Sequence, residues 1–108
     1  MFKQDDEITP VIFRKWRDGD VIALFPADIG TMEPHTCSSY MRVGQHGSAT
    51  IAGPSSVIHA TRRATEAEYA DLKRELESAP YGYRLKVYQR EQPAHRASRW
   101  RQARELAS

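Results

Sequence analysis

The sequence predicts an α+β domain, in which one helix packs on one face of a mainly antiparallel sheet of three to four strands in the order β-β-β-α-β. Three observations predict it. Two apolar runs rich in β-branched and aromatic residues, 11–13 and 21–25, flank the dipeptide Asp18-Gly19. Residues 65–76 carry apolar side chains at helical spacing, and residues 83–88 alternate between apolar or aromatic and mostly basic side chains.

The first two runs are typical of a β-hairpin, because Asp-Gly accepts the positive φ angles of a two-residue turn. Such a turn pairs Arg17 with Asp20 and places Trp16 opposite Val21. One face then holds Phe13, Lys15, Ile22 and Leu24, and the other holds Ile12, Arg14, Trp16, Val21, Ala23 and Phe25. Both faces are partly apolar, so we expect the second face to be covered by another segment or by a second copy of the chain.

The remaining elements follow from local signals. Pro26 is expected to end the hairpin, residues 38–43 to form a third strand, and Val57-Ile58 to form a short strand. Thr65 and Glu68 fit a capping box at the start of a helix that Pro80 stops. Residues 83–88 form the last strand, which Pro93 ends or interrupts.

Composition predicts one domain with two polar ends. Residues 1–10 are interpreted as a flexible acidic leader, 11–90 as the domain, and 91–108 as a basic tail that is either disordered or a short helix. Val, Ile, Leu and Phe make up 19 of the 108 residues, so a homo-oligomer that completes the core is expected. The single cysteine excludes an intramolecular disulfide, and no apolar run has the length of a membrane span or a signal peptide, which predicts a cytoplasmic protein.

The net charge of +2 hides an asymmetry along the chain. Residues 79–108 carry seven positive charges against two negative ones, a net of +5, and most of the positive residues are arginines. Arginine pairs with phosphate oxygens through its planar guanidinium group, although a basic tail can also serve only as a solvated surface.

Two stretches carry a resemblance: VIFRKWRDGDVIALFP at residues 11–26 and SYMRVGQHGSA at residues 39–49, followed by the helix that contains LKREL at 72–76. Over residues 11–90 the chain resembles a family of small uncharacterised bacterial proteins found in genomes, plasmids and phage-like islands. The resemblance implies no activity and no catalytic residues. A mobile-element setting favours a protein that binds nucleic acid or another protein.

The leading prediction is a binding module without enzymatic activity or cofactor, which contacts nucleic acid through basic and aromatic side chains. On the last strand, one face carries cations with an interleaved tyrosine, a pattern suited to phosphates and bases. In the tail, Trp100 lies between two arginines. The predicted nucleic-acid-binding residues are Arg84, Lys86, Tyr88, Arg90, Arg99, Trp100 and Arg101. Two alternatives to nucleic-acid binding are open for the tail: it is disordered, or it packs across its own sheet.

The alternative function is a protein–protein interaction modulator encoded by mobile DNA. It would use an exposed apolar face of the hairpin, made of Ile12, Trp16, Val21 and Phe25. In a weaker alternative, Gln45 and His46 form a functional loop between Gly44 and Gly47, with the histidine as a general base.

Metal and thiol chemistry are disfavoured by the sequence. The side chains of His35, Cys37, His46 and His59 have no zinc-site spacing, so no metal is predicted. A cysteine nucleophile activated by His35 or His46 lacks a neighbouring oxyanion site.

Overall fold

The computed structural model describes residues 7–108 and contains a six-stranded sheet with three helices. The strands are β1 (Ile8–Lys15), β2 (Val21–Ile29), β3 (Thr36–Tyr40), β4 (His46–Thr50), β5 (Arg62–Arg63) and β6 (Arg84–Val87). The helices are α1 (Val57–Ala60), α2 (Glu66–Glu77) and α3 (Pro93–Ala107). The strand order is β4-β3-β2-β1-β5, and β6 pairs with β1 in parallel while the other pairs are antiparallel. The predicted α+β class is confirmed.

The hairpin of β1 and β2 forms, but its predicted register was wrong by one residue. Lys15 pairs with Val21, and the turn closes through a hydrogen bond of 3.0 Å from the Gly19 backbone N–H to the Trp16 carbonyl. Gly19 has a φ of 106°, so the loop is of the three-residue type that ends in a left-handed glycine. Because side chains alternate along a strand, this shift changes which residues of β1 and β2 share a face.

The corrected register separates two apolar clusters, one on each face of the sheet. Beneath α2 lie Val11 and Phe13 of β1 with Ala23 and Phe25 of β2. The opposite face holds a second set of buried residues, which are Ile12, Ile22, Leu24, Cys37, Ile51 and Val57. The chain itself therefore covers both faces of the hairpin, and a second copy is not required for that purpose.

Helix α2 begins and packs as predicted. The Thr65 hydroxyl accepts from the Glu68 backbone N–H, and the Glu68 carboxylate accepts from the Thr65 backbone N–H, which completes the capping box. Leu72 and Leu76 are buried against the sheet, and the ring of Tyr69 stacks on Phe13 at 4.3 Å between centroids. Burial of this stripe holds α2 on the sheet.

Other boundaries differ from the predictions. Strand β1 begins at Ile8, inside the predicted leader, because it pairs with β6 there; residues 1–6 lie outside the described part of the chain. Val57 belongs to the short helix α1 and not to a strand. Strand β2 continues past Pro26 to Ile29, with a register shift against β3 between Phe25 and Ile29.

Helix α3 packs against the irregular end of β2 through polar side chains. The Ser98 hydroxyl and the Gln102 amide donate to the Ala27 carbonyl, and the Gln102 side-chain oxygen accepts from the Ile29 backbone N–H. The shift in β2 leaves these backbone groups outside the regular ladder, and α3 supplies their partners. Of the alternatives for the tail, the structure shows a helix that lies on its own domain.

Candidate nucleic-acid interface

Strand β6 carries the first group of predicted cations at the edge of the sheet. In its register with β1, Arg84 pairs with Ile8 and Lys86 with Pro10. The intervening Leu85 packs against the α2 cluster, so Arg84 and Lys86 extend from the opposite face. Both are exposed, which agrees with the predicted alternation along this strand.

Strand β5 adds an arginine that the sequence did not single out. It pairs with the same edge of β1 as β6 does, and Arg63 lies opposite Arg14. Residues of β1 with even numbers share a face, so Arg63 belongs to the same face as Arg84 and Lys86. A cavity of about 240 Å³ lies between the two short strands and the start of α2. Arg63 and Glu66 line one side of it, and Tyr88 and Gln89 line the other.

Arg90 is exposed in the segment between β6 and α3. We call Arg63, Arg84, Lys86 and Arg90 the basic edge. Within residues 7–108, no carboxylate lies at ion-pairing distance from Arg63, Lys86 or Arg90. No ion pair therefore neutralises these three side chains on the described surface, although Glu66 borders the same cavity as Arg63. Unneutralised cations along an exposed edge attract a polyanion at long range and prevent edge-to-edge strand pairing.

Tyr88 lies beside the basic edge, but its ring is not open for a nucleic-acid base to stack on it. Its ring is half-buried against the second apolar cluster and meets the His95 ring edge-on at 4.7 Å between centroids. The Lys86 ammonium lies 5.3 Å from the Tyr88 ring centroid. Tyr88 therefore positions the lysine through a cation–π contact.

Arg99, predicted as a nucleic-acid contact, is a buried structural residue. It is only 1% exposed and donates to the carbonyls of Pro26 and Pro34 at 2.6 and 2.8 Å and to the Glu91 carboxylate at 2.5 Å. A side chain with these partners cannot reach a phosphate, so this prediction was wrong. The neighbouring Trp100 is 44% exposed and Arg101 is exposed, on the outer side of α3.

The predicted apolar interaction face does not exist as one surface. Ile12 is fully buried, and Trp16 packs half-buried in the same cluster. Phe25 and Val21 lie on the opposite face of the sheet, beneath α2, where Phe25 is 5% exposed. The register shift in the hairpin is the physical reason, since it moves β2 side chains relative to those of β1.

The predicted functional loop lies at the turn between β3 and β4. His46 is exposed, and its ring packs edge-on against Tyr40 at 4.7 Å and against Tyr81 at 5.5 Å. The Tyr40 hydroxyl donates to the Glu75 carboxylate, which also accepts from the Val43 backbone N–H at 2.6 Å. Burial and the Glu75 contact raise the pKa of Tyr40. Glu75 thus joins the turn to α2, a structural role for this cluster.

Cys37 is not an activated nucleophile. It is fully buried, and desolvation raises the pKa of its thiol to about 12. Across residues 7–108, no group of three or more His, Cys, Asp or Glu side chains is arranged to hold a metal ion.

Comparisons with protein families, with curated proteins and with solved structures gave no match. Within the described residues, none of the helices has the length and apolar character needed to cross a bilayer.

Two site features escaped sequence reasoning. Arg63 lies just before the capping box of α2, and nothing in its neighbourhood indicated that β5 would join the edge of the sheet. The chain also forms a cleft beside Trp16, bordered by the hairpin turn and by the end of α1. The two adjacent arginines, Arg62 and Arg63, contribute to both features, but a pair of arginines does not by itself predict a strand or a cleft.

Proposed function

We propose that the protein binds nucleic acid through the phosphate backbone, using the basic edge. One observation supports this most: Lys86 and Arg63, from two strands far apart in sequence, share one face at the same edge of β1, and neither has a carboxylate at ion-pairing distance in the described chain. Phosphate oxygens are the natural partners of such a surface.

Backbone contacts dominate this binding, so it is expected to depend little on base sequence. Tyr88 already contacts His95 and Lys86, which leaves the basic edge without an open aromatic face for a base. The cations instead fix a strand by its charge. Arg101 and Arg104, exposed on α3, extend the positive potential without being part of the basic edge.

The test is charge reversal at the basic edge. Fluorescein-labelled single- and double-stranded oligonucleotides are titrated with the full chain, and anisotropy reports binding. Arg63→Glu combined with Lys86→Glu is expected to lower the affinity at least about a hundredfold, because each reversal replaces an attraction with a repulsion. Circular dichroism confirms that the variant folds.

The matched control is Arg42→Glu, compared with Lys86→Glu alone, so that each variant changes the net charge by two units. Arg42 is also exposed and, among the described residues, also lacks an ion-pair partner, but it lies at the β3–β4 turn, on the far side of the sheet from β6. A protein that binds through the basic edge keeps most of its affinity in this variant. Equal losses in both variants would show that only net charge matters, and no binding by the parent chain would refute the proposal.

A further inference from the structure

The cleft beside Trp16 has the size and charge of a small-ligand site. It has a volume of about 460 Å³, which is within the usual range for pockets that enclose a small molecule. One wall is the hairpin turn, with Lys15, Trp16 and Arg17, and the other is the end of α1 and the start of β5, with His59 and Arg62. It lies apart from Lys86, so an inference about it does not depend on the proposed function.

The walls of this cleft are held by contacts of their own. The guanidinium group of Arg14 donates to the carbonyls of Ile58 and Thr61 at 2.9 and 2.6 Å and to the Thr61 hydroxyl at 3.0 Å. Arg14 therefore fixes the last turn of α1 to strand β1. Such fixed walls reduce the entropy lost when a ligand binds.

Three cationic side chains, Lys15, Arg17 and Arg62, are among the residues that line the cleft. Glu68 accepts from both Lys15 and Arg62, at 2.6 and 2.7 Å, so one carboxylate is shared by two cations. Arg17 has no ion-pair partner in the described chain. Asp18 and Asp20 lie exposed in the same turn but do not line the cleft. A phosphate monoester carries a charge of about −1.5 to −2 at neutral pH, so the three lining cations attract it more strongly than the single charge of a phosphodiester.

Trp16 supplies a second, independent feature. Its indole Nε1–H is buried and has no hydrogen-bond acceptor among residues 7–108. A buried donor without an acceptor carries a free-energy cost, and a shift of the indole toward an oxygen or ring nitrogen of a bound ligand would remove it. An aromatic residue beside cations is also the pairing that nucleotides meet in single-strand binding sites.

We propose that this cleft binds the phosphate monoester of a nucleotide, with Arg17, Lys15 and Arg62 on the phosphate and Trp16 beside the nucleoside. The monoester can belong to a free nucleoside 5′-monophosphate or to the 5′-phosphorylated end of a strand, since both present the same group.

The test uses Trp16 as the reporter. The chain has two tryptophans, and Trp100→Phe leaves Trp16 as the single indole. Fluorescence and calorimetric titrations with adenosine 5′-monophosphate, adenosine and inorganic phosphate are then compared in this background. We expect the monophosphate to bind, inorganic phosphate to compete with it, and adenosine to bind at least about tenfold more weakly.

Arg17→Ala is the decisive variant, because Arg17 lies in an exposed turn and makes no hydrogen bond through its side chain in the described structure. It should weaken the monophosphate at least about tenfold, whereas Arg42→Ala and Lys86→Ala should not. Equal affinity for adenosine and its monophosphate, no binding at all, or an Arg17→Ala variant that binds like the parent would overturn the proposal.

Oligonucleotides with and without a 5′-phosphate identify the source of the group. Tighter binding of the phosphorylated strand than of the same strand without the 5′-phosphate, with the difference lost in Arg17→Ala, assigns the cleft to strand ends. Equal binding of the two strands, with the free monophosphate still bound, assigns it to free nucleotides. The two proposals can be tested separately. If nucleic acid does not bind through the basic edge, Lys86→Ala leaves oligonucleotide binding unchanged, while Arg17→Ala still weakens the binding of the monophosphate.

Discussion

Replacement of Arg99 with alanine tests how α3 is held on the domain. Arg99 is 1% exposed and joins three parts of the chain: strand β2 at Pro26, the loop at Pro34 and the segment before α3 at Glu91. Among the described residues, the substitution leaves the Glu91 carboxylate, whose side chain is 14% exposed, with only the longer contact of 3.5 Å to Arg96. It also removes the donors from two carbonyls.

The expected loss is large for a single substitution. Removing one partner of a buried ion pair costs about 3–5 kcal/mol, because the other charge stays behind without compensation. A domain of this size has a free energy of unfolding of about 5–15 kcal/mol, so the variant would lose a large share of it. With a urea dependence of about 1.5–2 kcal/mol per molar, the unfolding midpoint falls by about 2 M.

The assay is equilibrium urea unfolding followed by circular dichroism. Arg101→Ala is the matched control, since Arg101 is exposed on the same helix, and it should change the free energy of unfolding by no more than about 0.5 kcal/mol. Replacing Arg99 and Glu91 together with methionine should recover part of the loss, because both charges are then removed. If Arg99→Ala unfolds within about 0.5 kcal/mol of Arg101→Ala, the buried pair does not hold α3 and this reasoning fails.

Three further predictions concern buried polar groups. Tyr40→Phe removes the hydroxyl that donates to Glu75 and accepts from the Gly44 backbone N–H, and urea unfolding should show a loss of about 1–3 kcal/mol; an unchanged midpoint would contradict this role. Burial lowers the pKa of His95, so below a pH of about 6.5 the unfolded chain binds more protons than the folded chain. Stability should therefore fall as the pH is lowered from about 6.5. Thermal unfolding of His95→Asn should show a weaker dependence of stability on pH in this range. The thiol of Cys37, with its pKa raised to about 12, should react with a disulfide reagent at pH about 8 only in urea; rapid reaction of the native protein would show that the thiol is accessible.

The elements that follow from local chemistry could be predicted from the sequence. Helix α2 has a capping box at Thr65 and an apolar stripe that ends at Leu76, and both signals concern residues within a few turns of each other. The same holds for β6, where the alternation of Arg84, Leu85 and Lys86 correctly gave the exposed face. No long-range contact is needed to interpret either pattern.

The register of the hairpin could not be fixed in this way. Asp18-Gly19 fits both a two-residue and a three-residue loop, and both faces of the strands are apolar, so hydrophobic alternation does not choose between them. The choice is made by tertiary packing, since the observed pairing of Phe13 with Ala23 places Phe13 beneath α2, against Tyr69.

The packing of helix α3 could not be predicted from the sequence for a different reason. Its inner face carries His95, Ser98, Arg99 and Gln102, so hydrophobic periodicity gives no signal for burial. These side chains are inward because β2 becomes irregular after Phe25 and leaves backbone groups that need polar partners. Arg99 was therefore interpreted as a phosphate contact, while the arginine that completes the basic edge, Arg63, was overlooked.

The measurement that tests the central claim most directly is the salt dependence of oligonucleotide binding. If Arg63, Lys86 and Arg90 each contact a duplex phosphate, the logarithm of the affinity should fall with the logarithm of the salt concentration with a slope of about −2.7, which is a loss of about 40-fold between about 50 and 200 mM salt. Lys86→Ala should reduce the magnitude of that slope by about one. A slope near zero, or a slope that Lys86→Ala leaves unchanged, would contradict binding through the basic edge.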